Sequence, residues 1–112
     1  MDVFTRNYIM RKGSTFSQEI LLSDIYITLD PDSIYTVEGG MVLVADSTIK
    51  FSFSGTLSDS NTILTILMSS TQTSAITNLG NYDFAIDTTV AGVVQTIIEG
   101  SITVKEDVSK TT

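Results

Sequence analysis

The groups best placed to do chemistry in this chain are carboxylates, because the sequence contains neither histidine nor cysteine. Asp83, Asp87 and Glu99 fall within one stretch, Asn81 to Val104. Paired carboxylates divide acid and base roles only when close enough to perturb one another. Asp83 and Asp87 lie on the same side of a strand, roughly 13–14 Å apart along the backbone at the usual strand rise, too far to share a proton. They read as solvated strand residues, so no catalytic residue is assigned and an enzyme is not expected. A second acidic set, Asp24, Asp30 and Asp32, invites a calcium reading, but the spacing lacks the glycine and terminal glutamate of an EF-hand loop. With the usual general base, nucleophile pair and zinc ligands missing, neither a metal nor a cofactor is expected. A third set could hold a sugar: Tyr26, Tyr35 and Tyr82 offer ring faces near Asp32, Asp83 and Asn81. Against it, Tyr82 alternates with Phe84 on the face expected to be the core, and tryptophan is absent.

The elements that position these groups are strands. Tyr82, Phe84 and Ile86 alternate with Asp83, Ala85 and Asp87, the period of a strand with one dry face. Thr88 to Gly92 supplies a turn, and Val93 to Ile98 returns as a β-branched run, so a hairpin is expected. Gly100 interrupts the return before Ser101 to Val104 resumes it, which marks a bend, a bulge or a crossing between sheets. Upstream, strands are expected over Thr15 to Leu22, Ile25 to Leu29, Met41 to Ala45, Ile49 to Leu57 and Thr62 to Met68. Asp30-Pro31-Asp32-Ser33, Glu38-Gly39-Gly40 and Ser58-Asp59-Ser60-Asn61 read as turns. One short helix is expected near 70–79, where Ala75, Ile76 and Leu79 would cover an open end of the sheets and Gly80 would cap. About seven short strands with turns every 8–12 residues or so are the signature of an all-β, antiparallel, immunoglobulin-like β-sandwich.

The totals agree with that class. At 112 residues, with 42% hydrophobic content and a mean hydropathy of +0.25, the chain is one folded domain despite a net charge of −7. No apolar run approaches the ~20 residues of a membrane-spanning helix. The N-terminus lacks a basic region followed by an apolar stretch, so a soluble, unexported protein is expected. Charge is placed unevenly: residues 1–12 hold three cations against one carboxylate, and residues 13–112 hold three against twelve. An acidic surface repels phosphates, so nucleic acid is not an expected partner. The domain organisation expected is therefore a basic, aromatic N-terminal arm over 1–12 and a single β-sandwich over 13–112. Two readings of the arm stand. It packs or frays on its own domain, or it reaches a neighbouring copy through Phe4, Arg6, Tyr8, Ile9, Arg11 and Lys12, the candidate interaction residues.

Several motifs carry a family resemblance. They are Arg11-Lys12-Gly13-Ser14-Thr15-Phe16, Leu79-Gly80-Asn81-Tyr82-Asp83-Phe84, Gly92, Ile97-Ile98-Glu99-Gly100-Ser101-Ile102-Thr103-Val104 and Asp107-Val108-Ser109. Together the chain resembles the small β-sandwich at the N-terminus of tailed-bacteriophage baseplate upper proteins and in related short virion proteins. Leu29-Asp30-Pro31-Asp32-Ser33-Ile34 is a degenerate version of that family's aspartate-leucine-threonine stretch. The resemblance implies a non-catalytic structural virion protein: a baseplate or tail adaptor, a fibre base or a capsid-decorating subunit, assembled in the host cytoplasm. Its implied partners are capsid, tail or fibre subunits and copies of itself. Since the sequence stops at Lys110-Thr111-Thr112 without running into a fibre, a complete small protein is expected. The alternative class is a carbohydrate-binding β-sandwich module for host-surface attachment.

Overall fold

A computed structural model describes residues 4–106. Seven strands make up most of it: β1 Phe4–Arg11, β2 Phe16–Leu21, β3 Thr36–Leu43, β4 Lys50–Ser58, β5 Ile63–Met68, β6 Gly80–Val90 and β7 Val93–Lys105. A 3-10 turn over Leu22–Ile25 and a single short helix, α1 Ser70–Ser74, complete the set. The all-β, sandwich-like class expected from the sequence is what the chain adopts. All seven strands belong to one hydrogen-bonded sheet, in the order β1-β7-β6-β3-β4-β5-β2, which curls until it nearly closes as a barrel. Every neighbouring pair is antiparallel except β1 and β7, which run parallel from Phe4↔Ile98 to Arg11↔Lys105.

Residues 4–11 are therefore an edge strand of the domain's own sheet, not an arm separate from it; residues 1–3 lie outside the described part. Phe4, Arg6, Tyr8 and Met10 point inward while Thr5, Asn7, Ile9 and Arg11 point outward. The period of two is present, but Arg6 occupies an inward position and masks it. β1 and β2 are consecutive in the chain yet sit at opposite edges of the sheet, and the curl brings those edges back together. Across that seam Tyr8 meets Phe16 ring to ring.

Each end of the barrel is covered by a connection. Residues 22–35 run from β2 to β3 past β5 and β4. The alternation Ile25, Ile27, Leu29 buries those side chains at 3%, 3% and 8% exposure, as a half-buried strand would. No strand forms there, because the segment crosses the strand ends instead of running beside a ladder partner, and Tyr26 turns it with φ at 60°. At the other end residues 69–79 run from β5 to β6. The helix is shorter than expected, and it starts in a capping box formed by Ser69 and Gln72. Ile76 is fully buried, whereas Leu79 remains 43% exposed.

Two glycine readings change. Glu38-Gly39-Gly40 lies inside β3 and is not a turn, since a Cβ at Gly39 would collide with the Phe53 ring packed over it. The bulge in β7 falls at Ile97, where the register against β6 shifts between Ile86↔Ile98 and Asp87↔Thr96. Gly100 does not interrupt the strand; a Cβ there would strike the backbone of Arg6, so it is the point where β1 approaches β7 closely. The expected hairpin is present, closed by Ala91 and Gly92 at φ 50° and 79°, both in the left-handed region that a two-residue turn requires.

Candidate functional site

The six candidate interaction residues all lie on or just after β1. Three face the barrel interior. Tyr8 packs between Phe16 and Phe84, with ring centroids 5.8 and 5.7 Å away. Its hydroxyl is buried with no hydrogen-bond partner among the described residues, and burial pushes the phenol above its usual pKa while the Arg6 charge pulls the other way. The Arg6 guanidinium lies 5.1 Å from the Phe4 ring centre, and its Nε is likewise buried without a partner. Ile9 is 54% exposed on the outer face. Arg11 donates to the backbone carbonyl of Glu106 at 3.5 Å, and the Lys12 amide donates to Lys105 at 2.8 Å. The turn after them is pinned by Thr73, whose Oγ1 accepts from the Gly13 amide at 3.1 Å and donates to the Ser14 carbonyl at 2.9 Å.

The other candidate sets disperse. Asp83 and Glu99 line one shallow hollow of about 400 Å³ on the outer face of β6 and β7, together with Thr5, Asn7 and Ser101. Asp87 stands apart and accepts a 2.6 Å hydrogen bond from Thr96 Oγ1. Asp30 closes its own turn. Its Oδ1 accepts from the Asp32 amide and its Oδ2 from the Ser33 hydroxyl, and these two bonds hold its pKa below the usual carboxylate range. Among the described residues no three carboxylates converge as metal ligands would. Tyr82 is fully buried and donates to the Asn78 carbonyl at 2.7 Å, so its face is not open to a sugar. The Tyr35 hydroxyl accepts from the Asp30 amide at 2.9 Å, and Tyr26 alone of the three is freely exposed, at 92%.

A feature that the sequence does not display is the sorting of charge between the two ends. The end of β1, the start of β4 and the end of β7 bring Arg11, Lys12, Lys50 and Lys105 to the end covered by residues 69–79, where Asp46 and Glu106 are the local acids among the described residues. The opposite end carries Asp24, Asp30, Asp32 and Asp59 in its connections, and no described cation. The Asn61 amide ties those loops together, donating to the Asp30 and Ser33 carbonyls at 2.9 and 2.8 Å. Exposed apolar side chains accompany both ends. Tyr26 and Ile34, each 92% exposed, belong to the acidic one. Val44 and Leu79, 62% and 43% exposed, line a hollow of about 360 Å³ at the basic one. Arg11 and Lys12 are adjacent in sequence, but Lys50 and Lys105 join them only through strand topology.

Among the described residues no helix is long and apolar enough to cross a membrane. No protein-family model matches the chain, and no curated protein matches it.

Proposed function

We propose that this chain is a non-catalytic structural subunit of a tailed-phage particle, acting through protein–protein contacts as an adaptor, a fibre base or a capsid-decorating subunit. The motif resemblance supports the particle assignment. The observation that carries the assembly reading is the seam: among the described residues β1 and β2 each pair on one side only, so a nearly closed barrel keeps two strand edges without a ladder partner. Free edges are templates for pairing with another chain, and β1 adds an outward Ile9 beside its free edge. Neighbouring virion proteins and further copies of this chain are the partners that such edges suit, and the working place is the assembled particle.

The test is isolation of the affinity-tagged chain, expressed from its native locus, under non-denaturing conditions, with the co-isolated proteins identified by mass spectrometry. Expected is a particle-sized assembly containing the chain in fixed ratio to capsid, tail or fibre subunits. Recovery only as the free 12.1 kDa chain would overturn the reading.

A further inference from the structure

We propose that copies of this chain stack head to tail, the acidic end of one domain seated on the basic end of the next. This names the partner and the contact for the assembly reading and rests on that reading. Four of the five described cations lie at one end and only Arg6 lies in the body of the sheet. The other end presents Asp24, Asp30, Asp32 and Asp59 with no cation among them. Bringing two acidic ends together, or two basic ends, sets like charges face to face. A two-fold dimer through either end is therefore disfavoured, and the heterologous pairing is the one in which potentials complement.

Both ends also expose apolar side chains. Tyr26 and Ile34 stand out from the acidic end at 92% exposure each. They are held outward by structure. Tyr26 caps the 3-10 turn in a left-handed conformation, and Ile34 follows the Asx turn built by Asp30. At the basic end Val44 and Leu79 flank an open hollow of about 360 Å³. Projections at the acidic end thus meet a hollow at the end that carries Arg11, Lys12, Lys50 and Lys105. A contact of apolar centre and charged rim is the usual anatomy of a protein interface. Because the two surfaces sit at opposite ends, each added copy leaves one of each kind free. The product is an open stack, or a ring where the rotation between copies closes.

The experiment is light scattering on the full chain, with two end-blocking variants. For the wild type, expected is a mass that climbs with concentration past two copies at about 0.01 M salt, and falls towards one copy as salt rises to about 1 M and the Debye length shrinks tenfold. Ile34→Lys places a cation where the basic end would seat, and Val44→Asp places a carboxylate where the acidic end would seat. Both side chains are exposed, and far-UV circular dichroism and melting checks that each variant keeps the fold. Each variant alone should associate at least about tenfold more weakly than the wild type. Mixed, they should form a dimer of one copy each and stop there, since each keeps the end that the other lacks. Lys50→Glu with Lys105→Glu, both exposed, serves as a second block of the basic end and should also dimerise with Ile34→Lys. A wild type that stays monomeric at all salts, a salt-insensitive dimer, or a mixture that fails to dimerise would overturn head-to-tail stacking. Recovery of the chain in particles after any of these results would leave the assembly reading standing alone.

Discussion

Tyr8 and Phe16 lie edge to face across the seam, with centroids 5.8 Å apart and planes at 78°, although the strands that carry them share no ladder. Ring packing therefore fastens the two edges where backbone hydrogen bonds do not. Such a pair is worth about 0.5–1.5 kcal/mol beyond the area it buries.

Tyr8→Phe should keep this contact and remove a buried hydroxyl that has no partner among the described residues. The expected result is a gain of about 1 kcal/mol in urea unfolding, since an unsatisfied buried group costs about 1–3 kcal/mol. The phenol's pKa is raised above 10.0 in the folded state, so its contribution is present below pH 10 and is lost as pH rises through the folded value. The variant should accordingly lose less stability than the wild type in alkaline unfolding series. An unchanged alkaline limb would count against the burial of this hydroxyl.

Removal of residues 1–12 tests whether β1 belongs to the domain. A detachable arm would leave a folded remainder. Here the deletion takes away Met10, which is fully buried, together with Tyr8 and the ladder along β7. Loss of a large core side chain costs about 2–5 kcal/mol by itself, comparable to the whole stability of many small domains. The truncated chain should show collapsed amide dispersion in a two-dimensional NMR spectrum, and a well-dispersed spectrum would refute the assignment of β1 to the core.

Gly39→Ala should destabilise the fold by about 1–3 kcal/mol, because the new methyl meets the Phe53 ring. Phe53→Leu alone should cost about 1–3 kcal/mol, since it removes buried ring atoms and leaves space behind. The two together should cost less than their sum, since the smaller side chain yields the space. Strict additivity in a double-mutant cycle by chemical denaturation would mean that the two positions do not touch.

Asp30 carries the acid-side prediction. Its pKa is lowered from 3.8 by the Asp32 amide first and the Ser33 hydroxyl second. Its stabilising contribution is therefore present above about pH 4 and fades as pH falls through the lower folded value. Asp30→Asn retains a side-chain oxygen for the Asp32 amide but no longer titrates, so the slope of stability against pH below 4 should become shallower.

The β6–β7 hairpin was legible because Tyr82, Phe84 and Ile86 obey one local rule without interruption. β1 was not, because Arg6 takes an inward place beside Phe4, Tyr8 and Met10 and breaks the hydrophobic count. Ile25, Ile27 and Leu29 show the reverse failure. Their alternation correctly marks burial, yet alternation carries no information on whether a ladder partner exists. Glu38-Gly39-Gly40 looked like a turn because glycine's small size serves packing as readily as bending. Of the candidate site, the residues of the basic leader were visible in sequence. Their placement in an edge strand depended on the pairing of the first strand with the last. The two charged ends depended on the joining of Lys50 and Lys105 to Arg11, and no local pattern records that.

The parallel pairing of β1 with β7 joins Phe4 to Ile98 and Arg11 to Lys105. On the ribosome, β1 is made before the other described strands and yet is among the last of them to find its place. Until β7 emerges from the exit tunnel, β1 must wait with Phe4, Tyr8 and Met10 uncovered, and the nascent chain cannot lock domain by domain as a locally wired fold does. Completion of the sheet therefore waits on the emergence of β7, and the interval before it is the one in which chaperones have most to protect.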